Sequence, residues 1–382
     1  MKITFFFIYS NAEAQMYFQQ SCTGALQGEV MYGLTPAPNG TLIMAGQYGG
    51  GTFLNEVIPM FSLDTTVGSI RWANIVGGPP RVHAWGIDEV SDGVIVGGDK
   101  IVNSTNISGL VFKTDTSGNV VWARELPGTQ KYVFGIKATR GNGAVVCGSQ
   151  DMEQWSFISK LDGSGNVLWQ KKYQFTTTYN RFLGVTVAHD QGYLAVGYTD
   201  CPTCTDQSNI GAVIKTDSNG VMQWSKTFAE SAGCYFFSSV ETHDHGFAIV
   251  GSLGHDPTLL NDSGYSCLFI LKLDSLGNTQ WCNYYPAGSS FGANVIQETG
   301  EQELIVSGSL NTYTYPFGRG VLFVTNFFGT TIYANTMKFA GSSGFFDMRA
   351  GPQRTVYLTG FAASALRFSA PPRGPEIADF DI

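Results

Sequence analysis

The sequence is short of charge. Only 14% of its 382 residues are Asp, Glu, Lys or Arg, and the 22 basic residues form no cluster. With a formal net charge of −8, the chain lacks the dense Lys and Arg that a polyphosphate backbone or an anionic membrane surface requires. It has no apolar run long enough to span a bilayer as a helix. Histidine is scarce too. The five histidines, His83, His189, His243, His245 and His255, are scattered and show no metal-ligand or nucleophile spacing. Seven cysteines form no regular framework, and only Cys201 and Cys204 are closely spaced. Without a second pair or a nearby histidine, that CxxC is read as a small loop disulfide in an oxidising compartment, not as a zinc site.

What the chain has in abundance is glycine, 47 residues, and aromatic side chains at 13%. That composition fits many short strands joined by tight turns. One stretch recurs four times: KTDTSGNVVW ends at Trp122, KLDGSGNVLW at Trp169, KTDSNGVMQW at Trp224 and KLDSLGNTQW at Trp281. Each reads as a β-hairpin. Asp115, Asp162, Asp217 and Asp274 are placed to accept hydrogen bonds from the turn backbone. Gly118, Gly165, Gly220 and Gly277 supply the positive φ of the turn, and each Trp falls at a fixed height on the outgoing strand, where a neighbouring unit can cover it. A site used once would not be written four times, so these residues are structural.

Upstream of each hairpin runs an apolar segment closed by glycine, at Gly46, Gly98, Gly148, Gly197, Gly251, Gly308 and Gly360. The interval is about fifty residues, the size of a four-stranded propeller blade. Continuous apolar runs of this kind are strands buried on both faces. The sequence therefore predicts an all-β, seven-bladed β-propeller of four-stranded antiparallel blades over residues 15–369, followed by a Pro-rich tail at 370–382. The last repeat lacks its Trp hairpin. Its third strand is expected at Leu366–Ser369, and a surplus N-terminal strand at Gln15–Ser21 is expected to complete it and close the ring, so that no sheet edge is left open. Residues 1–14 have the order of a signal peptide, a short basic start, an apolar core and Ala12-Glu13-Ala14 before Gln15. Their removal would place the protein outside the cell or on its outer surface.

The L-D-x-x-G-x-x-x-W blade ending resembles the repeat of quinoprotein-dehydrogenase-like propellers. Its longer form, with Asn after Gly, is similar to repeats of secreted and surface propellers of Bacteroidota. That resemblance implies a secreted scaffold, often exported by type IX secretion with a C-terminal sorting domain that this sequence does not show before Ile382. Asp274-Ser275-Leu276 resembles the O-glycosylation motif of the same group.

Binding residues are expected on the face carrying the longer loops, between second and third strands and between blades. Tyr48, Phe53, Trp155, Tyr265, Tyr313 and Tyr315 offer flat apolar surfaces there, with Asp99, Asp200, Asp206 and Asp256 beside them. This set suits a protein partner or a glycan. No catalytic constellation, cofactor motif or metal motif stands out, so a non-enzymatic binding or scaffold module, possible as part of a larger surface assembly, is the first reading. The alternative is a polysaccharide-degrading enzyme, a glycoside hydrolase or lyase, drawing paired acids from Asp99, Asp151, Asp200 and Asp256.

Overall fold

The computed structural model describes residues 3–11, 13–22, 29–49, 56–65, 68–201, 209–229, 233–254, 266–285, 290–311, 318–337, 343–351 and 355–362. It is an all-β ring. Six blades are meanders of consecutive antiparallel strands: β3–β6 from Glu29 to Val76, β7–β10 from Arg81 to Glu125 and β11–β14 from Tyr132 to Tyr173, then β15–β18 from Asn180 to Phe228, β19–β22 from Cys234 to Tyr285 and β23–β26 from Ser290 to Met337. The first strands of successive sheets touch one another all the way round, from β3 to β27 (Ser343–Ala350) and back to β3.

The chain builds six complete blades, not seven. The last repeat supplies only β27 and β28 (Thr355–Ala362), and the sheet it begins is composite, in the order β2–β1–β28–β27. The N-terminus contributes two strands to it, not the single one expected. β1 (Ile3–Asn11) pairs with β28 from Phe6 opposite Leu358 to Tyr9 opposite Thr355, and β2 (Glu13–Cys22) lies outside it. A sheet with an open β28 edge takes whichever chain segment can pair with it, and the hairpin of β1 and β2 fills both missing positions. Leu366–Ser369 and the tail at 370–382 lie outside the described residues.

The glycine-closed apolar runs are the second strands, and they are buried: every residue of β12 (Gly143–Gln150) is inaccessible. Their terminal glycines answer to the adjacent first strand. At Gly46, Gly98, Gly148, Gly197, Gly251, Gly308 and Gly360 an added Cβ would stand 1.8 to 2.2 Å from a first-strand carbonyl oxygen. Opposite each of them the first strand carries a one-residue bulge, following Met31, Ala84, Val133, Phe182, Phe236, Ala293 and Phe345 in turn. Close backbone approach at the glycine accompanies the bulge, which turns the extra residue out of the sheet.

The repeated hairpins join neighbouring blades. Asp115 Oδ1 accepts from the backbone N–H of Ser117 and Asn119, both at 2.9 Å, and Asp162, Asp217 and Asp274 repeat the pattern. Each Trp lies against the next blade's turn. Trp122 Nε1 donates to Gly163 O at 3.0 Å, and an added Cβ on Gly165 (φ 81°) would stand 2.7 Å from the Trp122 ring. That glycine thus serves both the turn and the seat of the indole. The motif lysines are buried and turned back onto the turn between first and second strands: Lys113, Lys215 and Lys272 pair with Asp92, Asp190 and Asp244 at 2.8, 2.6 and 2.9 Å. Lys160, whose turn has no such acid, lies instead 5.6 Å over the Tyr193 ring.

Candidate functional site: the aromatic mouth of the central channel

The seven bulges deliver Tyr32, Trp85, Phe134, Leu183, Phe237, Asn294 and Phe346 to the central channel, at one equivalent position of each first strand. Each is half-buried, whereas the residue before it is fully buried. Five of the seven are aromatic. They form a continuous arc with their neighbours: the Tyr32 ring lies 5.0 Å from Phe346 and 4.8 Å from Trp85, and Trp85 lies 6.2 Å from Phe134. Tyr132 stacks on Phe134 at 6.0 Å. The arc continues through the Arg181 guanidinium, which sits over Phe134 at 4.9 Å, Tyr179 at 5.5 Å and Tyr198 at 5.8 Å. Tyr198 meets Tyr235 at 4.9 Å, and Tyr235 meets Phe237 at 6.5 Å. Six consecutive sheets share this surface.

Polar groups fix this surface from behind. Asp99, fully buried, accepts from Trp85 Nε1 through Oδ1 and faces His83 Nδ1 at 3.0 Å through Oδ2. The other ring nitrogen of His83 meets Glu56, which also faces Arg81 at 3.4 Å. Burial alone lowers the pKa of His83, but its hydrogen bonds to Asp99 and Glu56 and the charges of those two groups outweigh it, so the net shift is upward. His83 is thus held between two carboxylates, and the Trp85 ring is locked through Asp99. Arg181 is held by Glu153. Burial, then the charge of Glu56, raises the pKa of Tyr32, and burial chiefly raises those of Tyr132 and Tyr179, so these phenols stay neutral.

Towards the turn face the channel becomes ionic. Arg349 reaches from β27 to Ile87 O at 3.0 Å and to Asp347 at 2.9 Å, while Asp347 also accepts from Leu34 N at 2.9 Å. Asp88 lies 3.6 Å from Arg349 and 3.7 Å from Lys137. Four sheets are tied across this floor. The aromatic arc lies on the loop-face side of this ionic floor.

Among the residues expected to bind, Tyr48 is half-buried on β4 (Thr41–Gly49) and Trp155 opens β13 (Trp155–Leu161), with Lys172 Nζ 5.7 Å over its ring. Asp99 lies within β8 (Gly93–Asn103), opposite Gly109, because the hairpin of β8 and β9 is laddered as far as Asn103 and Asn106. Asp200 ends β16 and is bonded to Thr176, Thr178 and Tyr179 N. Phe53, Asp206, Asp256, Tyr265, Tyr313 and Tyr315 lie outside the described residues. Cys201 is in a disulfide, and Cys204 lies outside the described residues.

Among the described candidate acids, Asp99, Asp151 and Asp200 each have partners of their own. Asp151 is bound by Thr129, Gln150 and Lys172; despite burial, these hydrogen bonds hold its pKa down to about 2. Asp200 is likewise lowered against the effect of burial, by Thr176, Thr178 and the Tyr179 backbone. Asp99 instead converges with Glu56 on His83. Sequence reading missed the channel ring, although it left a trace: Tyr32-Gly33, Trp85-Gly86, Phe134-Gly135 and Leu183-Gly184 repeat a large residue before glycine in the first strand.

No family model matches the chain, and no curated protein matches it. Solved structures do. A protein from Lactobacillus plantarum has a TM-score of 0.56 at 11% identity, covering 89% of this chain and 98% of its own. The WD40 domain of Neurospora crassa Pan2 has a TM-score of 0.53 at 13% identity, covering 89% and 91%. Chaetomium thermophilum Sqt1 bound to the N-terminus of ribosomal protein L10 has a TM-score of 0.50 at 10% identity, covering 89% and 98%. At these identities the likeness is one of fold, and that fold is the β-propeller.

Proposed function

We propose that this chain is a non-enzymatic binding propeller that holds a segment of a protein partner at the aromatic mouth of its channel. The observation that carries this reading is the arc from Phe346 through Tyr32, Trp85 and Phe134 to Phe237, built by a repeated bulge and locked by buried ion pairs. Rigid aromatic side chains give large contact area with little entropy left to lose, which is what makes Trp, Tyr and Arg dominate binding hot spots. The Sqt1 structure, a propeller of similar fold with the N-terminus of a ribosomal protein bound, supports the class of partner. The leader-like order of residues 1–14 and the disulfide at Cys201 support an exported, cell-surface setting. Polysaccharide cleavage gains no support from Asp151 and Asp200, whose lowered pKa is the reverse of what a general acid needs.

The test is selection of a displayed peptide library on the whole protein, run beside a glycan array, with Trp85→Ala and Phe134→Ala as variants whose folding is checked by circular dichroism. Selected peptides should lose about tenfold or more in affinity to folded Trp85→Ala, the scale of a hot spot. Peptides that bind both variants as well as the wild type would sink the reading. Glycans that alone depend on Trp85 would replace the protein segment with a sugar.

A further inference from the structure

On the turn face, far from the channel mouth, we infer a second site: His189, Glu241 and His245 form a binding site for a borderline divalent cation of the zinc class. Their ligand atoms all lie within 4.8 Å of one another. His189 Nδ1 is 2.6 Å and His245 Nδ1 4.0 Å from Glu241 Oε1, and the two imidazoles stack at 3.9 Å between centroids. In a tetrahedral zinc site with bonds of about 2.0 Å the ligand atoms stand about 3.3 Å apart. The observed 2.6 and 4.0 Å separations from the shared carboxylate oxygen bracket that value. Both imidazoles are about half exposed, at 51% and 59%. A cation there is reached from water and keeps an open coordination position. Two imidazoles and a carboxylate suit zinc, nickel or copper better than the all-oxygen sites of calcium and magnesium.

The repeat itself supplies the control. His189 sits on the turn of the fourth blade and Glu241 at the end of β19 (Cys234–Glu241) in the fifth. One blade further, His243 and Glu298 make the same inter-blade pair: the carboxylate accepts the His243 backbone N–H at 2.7 Å and faces Nδ1 at 2.8 Å. The pair therefore has a structural role in both places. What differs is the residue four positions after the Glu, His245 in one turn and Gln302 in the other. Both are held at positive φ, 62° and 64°. The third ligand is present once, where the backbone tolerates Gln equally well.

Isothermal titration of the whole protein with zinc chloride, together with the absorption of its cobalt-substituted form, tests the site. One equivalent should bind to the wild type, and His245→Gln, which installs the sister turn's residue, should weaken binding by at least about tenfold while the melting temperature without metal stays unchanged. His243→Ala should leave the titration as it is. Gln302→His should add a second equivalent beside His243 and Glu298. Absence of zinc binding by the wild type, or an unchanged titration for His245→Gln, overturns the assignment.

Discussion

The two faces of the ring handle the same residue types in opposite ways. On the turn face, the buried Lys113, Lys215 and Lys272 each meet an aspartate within 3 Å, the Asp turns satisfy their own backbone, and Trp122, Trp169 and Trp224 donate to the next blade. On the loop face, Lys131 is fully buried, yet its Nζ makes no hydrogen bond and lies 4.2 Å over Phe157. Burial pulls its pKa down to about 7. Aromatic rings stand half-exposed there and charges are spent on holding them. Repetition marks the face that keeps the ring together; irregular, costly chemistry marks the face that is free to bind.

The largest expected effect falls on the backbone that both faces share. Gly197→Val would place a branched side chain where a Cβ alone stands 1.9 Å from Arg181 O. It should cost more than about 5 kcal/mol, enough to prevent folding, and soluble expression with circular dichroism will show it. Next comes a paired measurement. Trp122→Ala on the turn face should lower stability by about 3 kcal/mol in urea unfolding, through a lost inter-blade ring and hydrogen bond. Trp85→Ala in the mouth should lower it by less while removing ligand affinity. Equal stability losses would erase the division between the faces.

Lys131→Met should stabilise by about 2 kcal/mol at pH 7, since a buried unpaired ammonium is replaced by an apolar isostere. The sign follows from the lowered pKa. Above the ordinary lysine value near 10.5 both folded and unfolded amines are neutral and burial costs nothing; as pH falls towards about 7 the unfolded chain gains a proton that the folded one does not. The advantage of Met should therefore shrink as pH is raised from 7 to 10. The smallest effect belongs to His83. Its folded pKa is raised, so its contribution is present below the unfolded value near 6.5 and is lost as pH rises through the folded value. Melting curves from pH 5.5 to 8.5 should show His83→Gln less stable than wild type by on the order of 1 kcal/mol at the acid end, with the gap closing at the alkaline end.

Closure of the ring sharpens the same contrast at the termini. Loss of residues 1–14 already removes β1, the strand that pairs with β28, and leaves β2 without its partner, whereas removal of residues 1–22 strips both strands from the composite sheet. N-terminal sequencing of natively purified protein, read beside its unfolding cooperativity, decides which form the ring uses.

The sequence by itself determined the blade. The interval between glycines, the apolar second strands, the Asp turns and the Trp at fixed height are all local or periodic quantities, and local hydrogen bonding and strand period are legible one segment at a time. It also marked the loop face as the variable one. What only the tertiary structure decided was how the last sheet is completed: the missing hairpin pointed to the N-terminus, but the strand that pairs with β28 is β1, within residues that read as a leader, and β2 lies outside it. It also decided the site. Glu56, His83, Trp85 and Asp99 come from two blades, Tyr32 shares the first of these, and Phe134 and Phe346 come from two further sheets; they meet only because ring closure turns seven equivalent bulges onto one axis. Asp99 stood out in the chain only as a loop-face acid, and His189 only as one of five scattered histidines. Their surroundings, a buried imidazole in one case and a neighbouring blade's carboxylate in the other, are set by tertiary contacts, and the sequence does not contain them.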